Sequence, residues 1–216
     1  MLACRCMNFV VLSSSRGTTF QAVIDRMKDG SLTAKCLGLI TDRNDRGCIA
    51  KAEAAKIPIT IVEKKEGEGR EEYDKRLHAA IIHLVQSGQR LAGSGSSLSA
   101  HRSSLIAALG WMSILSPWFI KQWPNKIINV HPALLPKYGG KNMYGNRVHQ
   151  AVLDAGEKES GITIHLMDEG VDTGKILLQK TCPVLPGDTV ETLKERVQGL
   201  EREWYPKVLQ MIFQES

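Results

Sequence analysis

Short apolar runs recur along this chain, and most are followed by a polar loop and a segment with helical spacing. Near-continuous apolar runs are typical of strands that are buried on both faces of a parallel sheet. Strands that alternate with helices predict a doubly wound, mostly parallel α/β fold. The predicted strands are residues 8–12, 35–40, 58–62 and 105–110 and a run that ends at His131.

The C-terminal part of the chain predicts an addition to this sheet. Residues 161–167 and 175–181 read as two strands around a polar turn, which predicts an antiparallel, hairpin-like pair. A long final helix is predicted from Val190 to about Phe213, with Asp188 or Thr189 as its N-cap. Residues 1–7 are interpreted as a leader and residues 8–216 as one domain, with a Gly/Ser-rich insertion at about residues 86–104.

Composition narrows the class of partner. The chain has 216 residues, 43% of them hydrophobic, and a formal net charge of +5. Its basic residues are dispersed among acidic ones, which favours small anionic ligands over nucleic acid. The five cysteines have no metal-ligand spacing, and no apolar run approaches the length of a membrane span. We therefore expect a cytoplasmic protein with small-molecule substrates, no metal, and no nucleic-acid or membrane partner.

Two polar side chains stand at the end of the strand that precedes Pro132. Residues two apart in a strand point to the same side, so Asn129 and His131 share a face. Pro132 has no N–H to donate and disfavours helical dihedrals at His131, so the strand ends there. Open α/β sheets bind ligands at this end of their strands. The pattern alone fits a capped strand end as well as a ligand site.

The first predicted strand leads into a loop rich in Ser and Thr at residues 13–19. A strand, a small polar loop and a helix together form a common anion site, because loop N–H groups and the helix N-terminus face the ligand. Thr18 and Thr19 can add hydroxyl donors, and Arg16 can add charge. Ser and Thr are also ordinary N-caps, and the loop is neither a Walker motif nor GxGxxG. The loop therefore does not specify a ligand by itself.

The segment N-V-H-P-A-L-L-P at residues 129–136, followed by D-T-G at residues 172–174, resembles the folate-dependent formyltransferases. The resemblance runs from Asn8 to the last helix and is interrupted by the Gly/Ser-rich segment. It implies a Rossmann-like formyltransferase fold. It is closest to the members that act in purine biosynthesis, and it implies transfer of the formyl group of 10-formyltetrahydrofolate to the amine of glycinamide ribonucleotide. Direct attack by the amine then needs neither a covalent enzyme intermediate nor a metal.

The same resemblance implies residue roles. Asn129 is expected to donate to the formyl oxygen, and His131 to stabilise the oxyanion and transfer the proton. Asp172 is expected to raise the pKa of His131 and to hold its ring. The implied contacts to the amine substrate are Gly17, Thr18, Thr19, Gln198 and Glu201. The implied contacts to folate are Arg70, Met112, Ser113, Ile114, Leu115, Asn129, Met167, Asp168 and Glu169.

Some positions depart from the family pattern, and they keep alternatives open. Ser15 and Thr19 differ from the usual G-x-G-S-N loop, and Ser113 stands where an arginine is common. The chain is therefore also compatible with a formyltransferase for another amine, such as an amino-sugar nucleotide. A folate- or nucleotide-binding module without catalysis is the second alternative. The sequence leaves a monomer and a homodimer equally open.

Overall fold

The computed structural model describes residues 8–90 and 104–214, and the strands among them form one seven-stranded sheet. The strands are β1 (Asn8–Leu12), β2 (Lys35–Thr41), β3 (Ile59–Ile61), β4 (Ser104–Ala108), β5 (Ile127–His131), β6 (Glu159–Leu166) and β7 (Ile176–Pro183). They lie in the order β3-β2-β1-β4-β5-β6-β7. Strands β1 to β5 pair in parallel, and β6 and β7 add to the edge in antiparallel register.

Helices cover both faces of this sheet. They are α1 (Thr18–Lys28), α2 (Cys48–Ala54), α3 (Arg70–Arg90), α4 (Pro117–Gln122), α5 (Asn146–Asp154) and α6 (Val190–Gln214). Phe9 and Val11 belong to one core with buried residues of α1, α2, α5 and α6. Val10 and Leu12 belong to a second core with residues of α3 and α4. Because successive side chains enter opposite cores, the first strand is apolar throughout.

The predicted fold class is confirmed: a doubly wound, mostly parallel sheet carries an antiparallel addition and ends in a long helix. The segment from residue 86 differs from its prediction, because α3 continues to Arg90. Gly88 allows this continuation, since a Cβ there would lie 2.5 Å from a methyl group of Leu37 in β2. Ser104, at the end of the predicted Gly/Ser-rich insertion, is the first residue of β4. Residues 91–103 of that insertion and the predicted leader, 1–7, lie outside the described residues.

The final helix begins as predicted. The Thr189 hydroxyl accepts from the Thr192 N–H at 3.3 Å, which is the bond expected of an N-cap. Within residues 8–90 and 104–214, no helix combines the length and the apolar character needed to cross a bilayer.

Candidate active site

A cavity of about 510 Å³ opens where β1, β4 and β5 end. Its walls come from the loop after β1, the segment after β4, the end of β5, the residues that precede α5, the turn after β6 and one face of α6. Parallel strands end at the same edge of a sheet, so loops that are far apart in sequence converge there. The sheet therefore places the conspicuous polar residues of the sequence around one space.

Asn129 and His165 face each other across the β5–β6 pair. The Asn129 side-chain amide lies 3.2 Å from Nε2 of His165, and Nδ1 of His165 lies 3.0 Å from the Leu166 carbonyl oxygen. A carbonyl only accepts, so Nδ1 carries a proton, and in the neutral ring Nε2 accepts from the Asn129 amide. The amide is thereby oriented, and its second N–H is left for a ligand in the cavity.

His131 has an acceptor at each ring nitrogen. Its Nε2 lies 2.7 Å from the Tyr138 carbonyl oxygen, and its Nδ1 lies 3.4 Å from Oδ2 of Asp172. Burial lowers the pKa of His131 below its ordinary value. The charge of Asp172 acts to raise this pKa, as expected, but together with the Tyr138 carbonyl it does not offset the burial. The net shift is therefore opposite to the raised pKa expected from the sequence, because residue type alone does not reveal how deeply the ring is buried.

Asp172 connects the two histidines. Its Oδ1 lies 3.6 Å from Nε2 of His165, and its Oδ2 accepts from the Gly140 N–H at 3.1 Å. Burial acts to raise the pKa of Asp172, but a hydrogen bond from the protonated His165 ring, the charge of protonated His131 and the Gly140 N–H outweigh it, and the net shift is downward. Its backbone has φ 60°, the left-handed region that asparagine and aspartate tolerate best among residues with a side chain.

Thr163 fixes the irregular segment that follows His131. Its hydroxyl donates to the Ala133 carbonyl at 2.7 Å and accepts from the Leu135 N–H at 3.0 Å. The Gln179 amide on β7 donates to the same hydroxyl and to the Leu135 carbonyl. These buried bonds tie residues 133–135 to the antiparallel addition, so the added strands hold the site as well as extend the sheet.

The opposite end of the cavity lies between α1 and α6. The Thr19 hydroxyl donates to Oε2 of Glu201 at 2.9 Å. Burial raises the pKa of Glu201 to about 7, against the effect of this hydrogen bond. Gln198 lies one turn earlier on the same face of α6 and also lines the cavity. This end therefore presents hydroxyl, amide and carboxyl groups.

Most of the predicted site residues line the cavity. They are Thr18, Thr19, Met112, Ser113, Ile114, Leu115, Asn129, His131, Met167, Asp168, Asp172, Gln198 and Glu201. Gly17, Arg70 and Glu169 are not among the lining residues. Gly17 is buried against Cys48 and precedes α1 with φ 76°. Arg70 is exposed at the start of α3. Oε1 of Glu169 lies 3.6 Å from Nζ of Lys121, with which it forms an exposed ion pair.

Several lining residues were missed by sequence reasoning, namely Trp111, Lys141, His149, His165 and Lys194. His165 had a detectable signal, since it follows the alternation of β6, but its position opposite Asn129 depends on strand register. In the described part of the chain, no group of three or more His, Cys, Asp or Glu side chains is arranged to hold a metal ion.

Comparison with known proteins agrees with this geometry. The profile of the formyl transferase family matches residues 7–209. The chain belongs to this family. It is 33% identical over 204 residues to a phosphoribosylglycinamide formyltransferase of Bacillus subtilis, covering 94% of this chain and 93% of that protein. It is 35% identical to the trifunctional purine biosynthetic protein adenosine-3 of Drosophila melanogaster, covering 98% of this chain but 14% of that protein.

Solved structures of other family members share the fold. The phosphoribosylglycinamide formyltransferase of Coxiella burnetii, in complex with CHES, superposes with a TM-score of 0.81 at 32% identity, covering 97% of this chain and 88% of that one. Glycinamide ribonucleotide transformylase 1 of Geobacillus kaustophilus superposes with a TM-score of 0.82 at 29% identity, covering 97% of this chain and 100% of that one. The formyl transferase fold thus extends over nearly the whole chain.

In this family member, Glu201→Gln is expected to make stability less dependent on pH. The pKa of Glu201 rises from 4.5 to about 7 on folding. Between these values the unfolded chain has released a proton that the folded protein keeps, so the free energy of unfolding falls as pH rises. The glutamine side chain of the variant has no such proton. From about pH 5 to about pH 8, the free energy of unfolding of the variant should therefore fall by roughly 2 kcal/mol less than that of the original protein.

Urea unfolding at both pH values measures this difference. Glu203→Gln on the same helix is the control, because Glu203 is exposed and paired with Lys207. A difference between the Glu201→Gln variant and the original protein that stays constant with pH would show that Glu201 titrates normally.

Proposed function

We propose that this chain transfers the formyl group of 10-formyltetrahydrofolate to the amine of glycinamide ribonucleotide, a step of purine biosynthesis. The observation that carries the proposal is the convergence of Asn129, His131 and Asp172 in one cavity, beside the hydroxyl and carboxyl groups of Thr19 and Glu201. The activity for which the Bacillus subtilis relative is named supports the same reaction.

The apolar half of the cavity fits the pterin ring of a folate. Met112 and Ile114 are large apolar side chains that remain 49% and 42% exposed in the folded protein. They line the cavity with Leu115 and Met167, and Trp111 stands beside them. A flat aromatic ligand would bury this surface, and each apolar group removed from water favours binding. Asp168, in the turn after β6, also lines the cavity and offers a carboxylate to the polar edge of the ring.

The oriented amide of Asn129 is the donor for the formyl oxygen. That oxygen gains negative charge as the amine attacks the formyl carbon. A donor that is already oriented stabilises this charge without reorganisation when the reaction occurs. His165 contributes by accepting the other N–H of the amide, so we assign it a positioning role.

His131 is assigned as the group that moves the proton from the amine to the departing folate nitrogen. Because burial lowers its pKa, the ring is mostly neutral at neutral pH and can accept a proton. Once protonated, it donates to both the Tyr138 carbonyl and Asp172. Both nitrogens already have these neighbours, so one contact must open when the ring meets a substrate atom. Asp172, whose pKa is lowered, stays ionised and stabilises the imidazolium.

The proposal is tested with purified protein and 10-formyl-5,8-dideazafolate, whose deformylation changes its absorbance. Loss of the formyl group only when glycinamide ribonucleotide is present would support the proposed transfer. Loss without any amine would indicate a hydrolase. Reaction with an amino-sugar nucleotide but not with glycinamide ribonucleotide would favour the other amine class. Binding of the analogue without turnover in any mixture would favour the non-catalytic folate module.

A further inference from the structure

The α6 wall of the cavity carries a half-buried cation without a carboxylate partner. Lys194 lies one turn before Gln198 and two turns before Glu201, so the three residues share one face of the helix and line the cavity. Its Nζ donates to the Asn146 side-chain oxygen at 2.8 Å, which is a neutral acceptor. Among the described residues, no carboxylate oxygen lies within the 4.0 Å of Nζ that defines an ion pair.

The acids on the Lys194 face of α6 form no ion pair with it. Glu191 lies one turn earlier and is exposed, and Glu201, the acid of this face that lines the cavity, has a raised pKa that leaves it only partly ionised at neutral pH. Of the lysines and arginines that line the cavity, Arg16 and Lys141 are exposed, whereas Lys194 is half-buried. A partly desolvated ammonium interacts more strongly with an anion than an exposed one does. Lys194 is therefore the cation of this cavity best placed to hold an anionic group.

The start of α5 adds to the same environment. Asn146, which holds Lys194, is the first residue of α5, and that helix has no side-chain cap and no acidic residue in its first turn. Its first N–H groups and the positive end of its dipole are therefore not neutralised by a side chain. His149, in the same helix, lines the cavity at 2% exposure, and its Nδ1 meets no hydrogen-bond partner in the described structure.

We infer that Lys194 binds the phosphate monoester of the amine substrate and so helps to determine substrate choice. Thr19 is hydrogen-bonded to Glu201, and Lys194 lies on the same face of α6 as Glu201. A phosphate in this part of the cavity can therefore contact the loop after β1 on one side, and Lys194 and the start of α5 on the other. A lysine supplies charge that the hydroxyls of Thr18 and Thr19 lack. This assignment rests on the proposed function, in which the amine substrate is a phosphorylated ribose.

The test compares Lys194→Gln, Lys194→Arg and the unchanged protein in the formyl-transfer assay. Loss of one charged hydrogen bond should raise KM for glycinamide ribonucleotide by roughly ten- to hundredfold in Lys194→Gln. The values of kcat and of KM for the folate analogue should stay within about threefold, because Lys194 is not among the groups assigned to the formyl carbon or to the pterin ring. Lys194→Arg keeps the charge and should restore most of the affinity.

Lys207→Gln is the matched control. It removes the same charge from the same helix, but Lys207 is paired with Glu203 outside the cavity. It should leave all three kinetic constants unchanged. An unchanged KM for glycinamide ribonucleotide in Lys194→Gln, or an equal rise in Lys207→Gln, would overturn the assignment while leaving the proposed reaction intact.

Inorganic phosphate separates failure of this assignment from failure of the proposed function. Calorimetric titration should show that phosphate binds the unchanged protein and binds Lys194→Gln at least about tenfold more weakly. If no formyl transfer to glycinamide ribonucleotide occurs but this difference is found, the proposed substrate is wrong and the phosphate contact stands. If the unchanged protein and Lys194→Gln bind phosphate equally, or neither binds it, the assignment is wrong.

Discussion

Asp172→Asn is expected to lower kcat by roughly 10²- to 10⁴-fold, the range that positioned acid–base groups contribute, with little change in KM for either substrate. The Asp172 carboxylate lies 3.4 Å from Nδ1 of His131 and 3.6 Å from Nε2 of His165. Its charge therefore stabilises the imidazolium that His131 forms as it takes the proton of the amine. An amide of the same shape supplies no such charge. The loss should therefore appear in the chemical step rather than in binding.

Asparagine is the informative replacement because it separates charge from conformation. Residue 172 has φ 60°, which asparagine also tolerates, so the turn after β6 should be retained and the free energy of unfolding should lose only what the ionised carboxylate contributes. The charge of Asp172 raises the pKa of His131, so its removal should shift the acidic limb of the kcat–pH profile to lower pH. A purely structural role would not predict that shift.

Steady-state kinetics across pH measure both effects, with Asp25→Asn as the control. Asp25 lies on the exposed side of α1, outside the cavity, where its carboxylate accepts from the Gln21 amide. That control should behave like the original protein. A normal kcat in Asp172→Asn would remove Asp172 from the proposed mechanism. A raised KM with unchanged kcat would instead assign it to substrate binding.

The fold was predictable because its signal is local. The central strands of the parallel part lie between two layers of helices, so their side chains are mostly apolar on both faces, as in residues 9–12. Asn129 and His131 were likewise predictable, since period-two geometry and Pro132 fix their position in one strand. These inferences needed no knowledge of what packs against the strand.

The parts of the site that were missed depend on contacts between distant segments. His165 reaches Asn129 only because β6 pairs with β5 in one register, which a single sequence does not specify. The direction of the His131 pKa shift depends on burial by loops that are remote in sequence. The close packing of α3 on β2 at Gly88 similarly involves a distant residue, since Leu37 leaves no room there for a Cβ.

Gly174→Ala is expected to lower the free energy of unfolding by roughly 2–4 kcal/mol, because this position has no space for a side chain. A Cβ on Gly174 would overlap the Leu166 carbonyl oxygen and lie 3.3 Å from the Asp168 N–H nitrogen. Leu166 cannot move aside freely, since its N–H donates to the Lys175 carbonyl at 2.9 Å. The next N–H, of Met167, donates to the Ile127 carbonyl of β5.

Gly69→Ala is the matched control, and urea unfolding is the measurement. Gly69 has no positive φ, and a Cβ there would meet only Oε2 of Glu72, at an ordinary contact distance of 3.7 Å. Gly69 is the N-cap of α3, where alanine is less favourable than glycine, so this variant should lower the free energy of unfolding by no more than about 1 kcal/mol. Equal unfolding midpoints for Gly174→Ala and the original protein would contradict the expected lack of space. Since this turn carries Asp172, a shift at constant stability should still lower kcat, so kinetics distinguish a displaced turn from one that accommodates the methyl group in place.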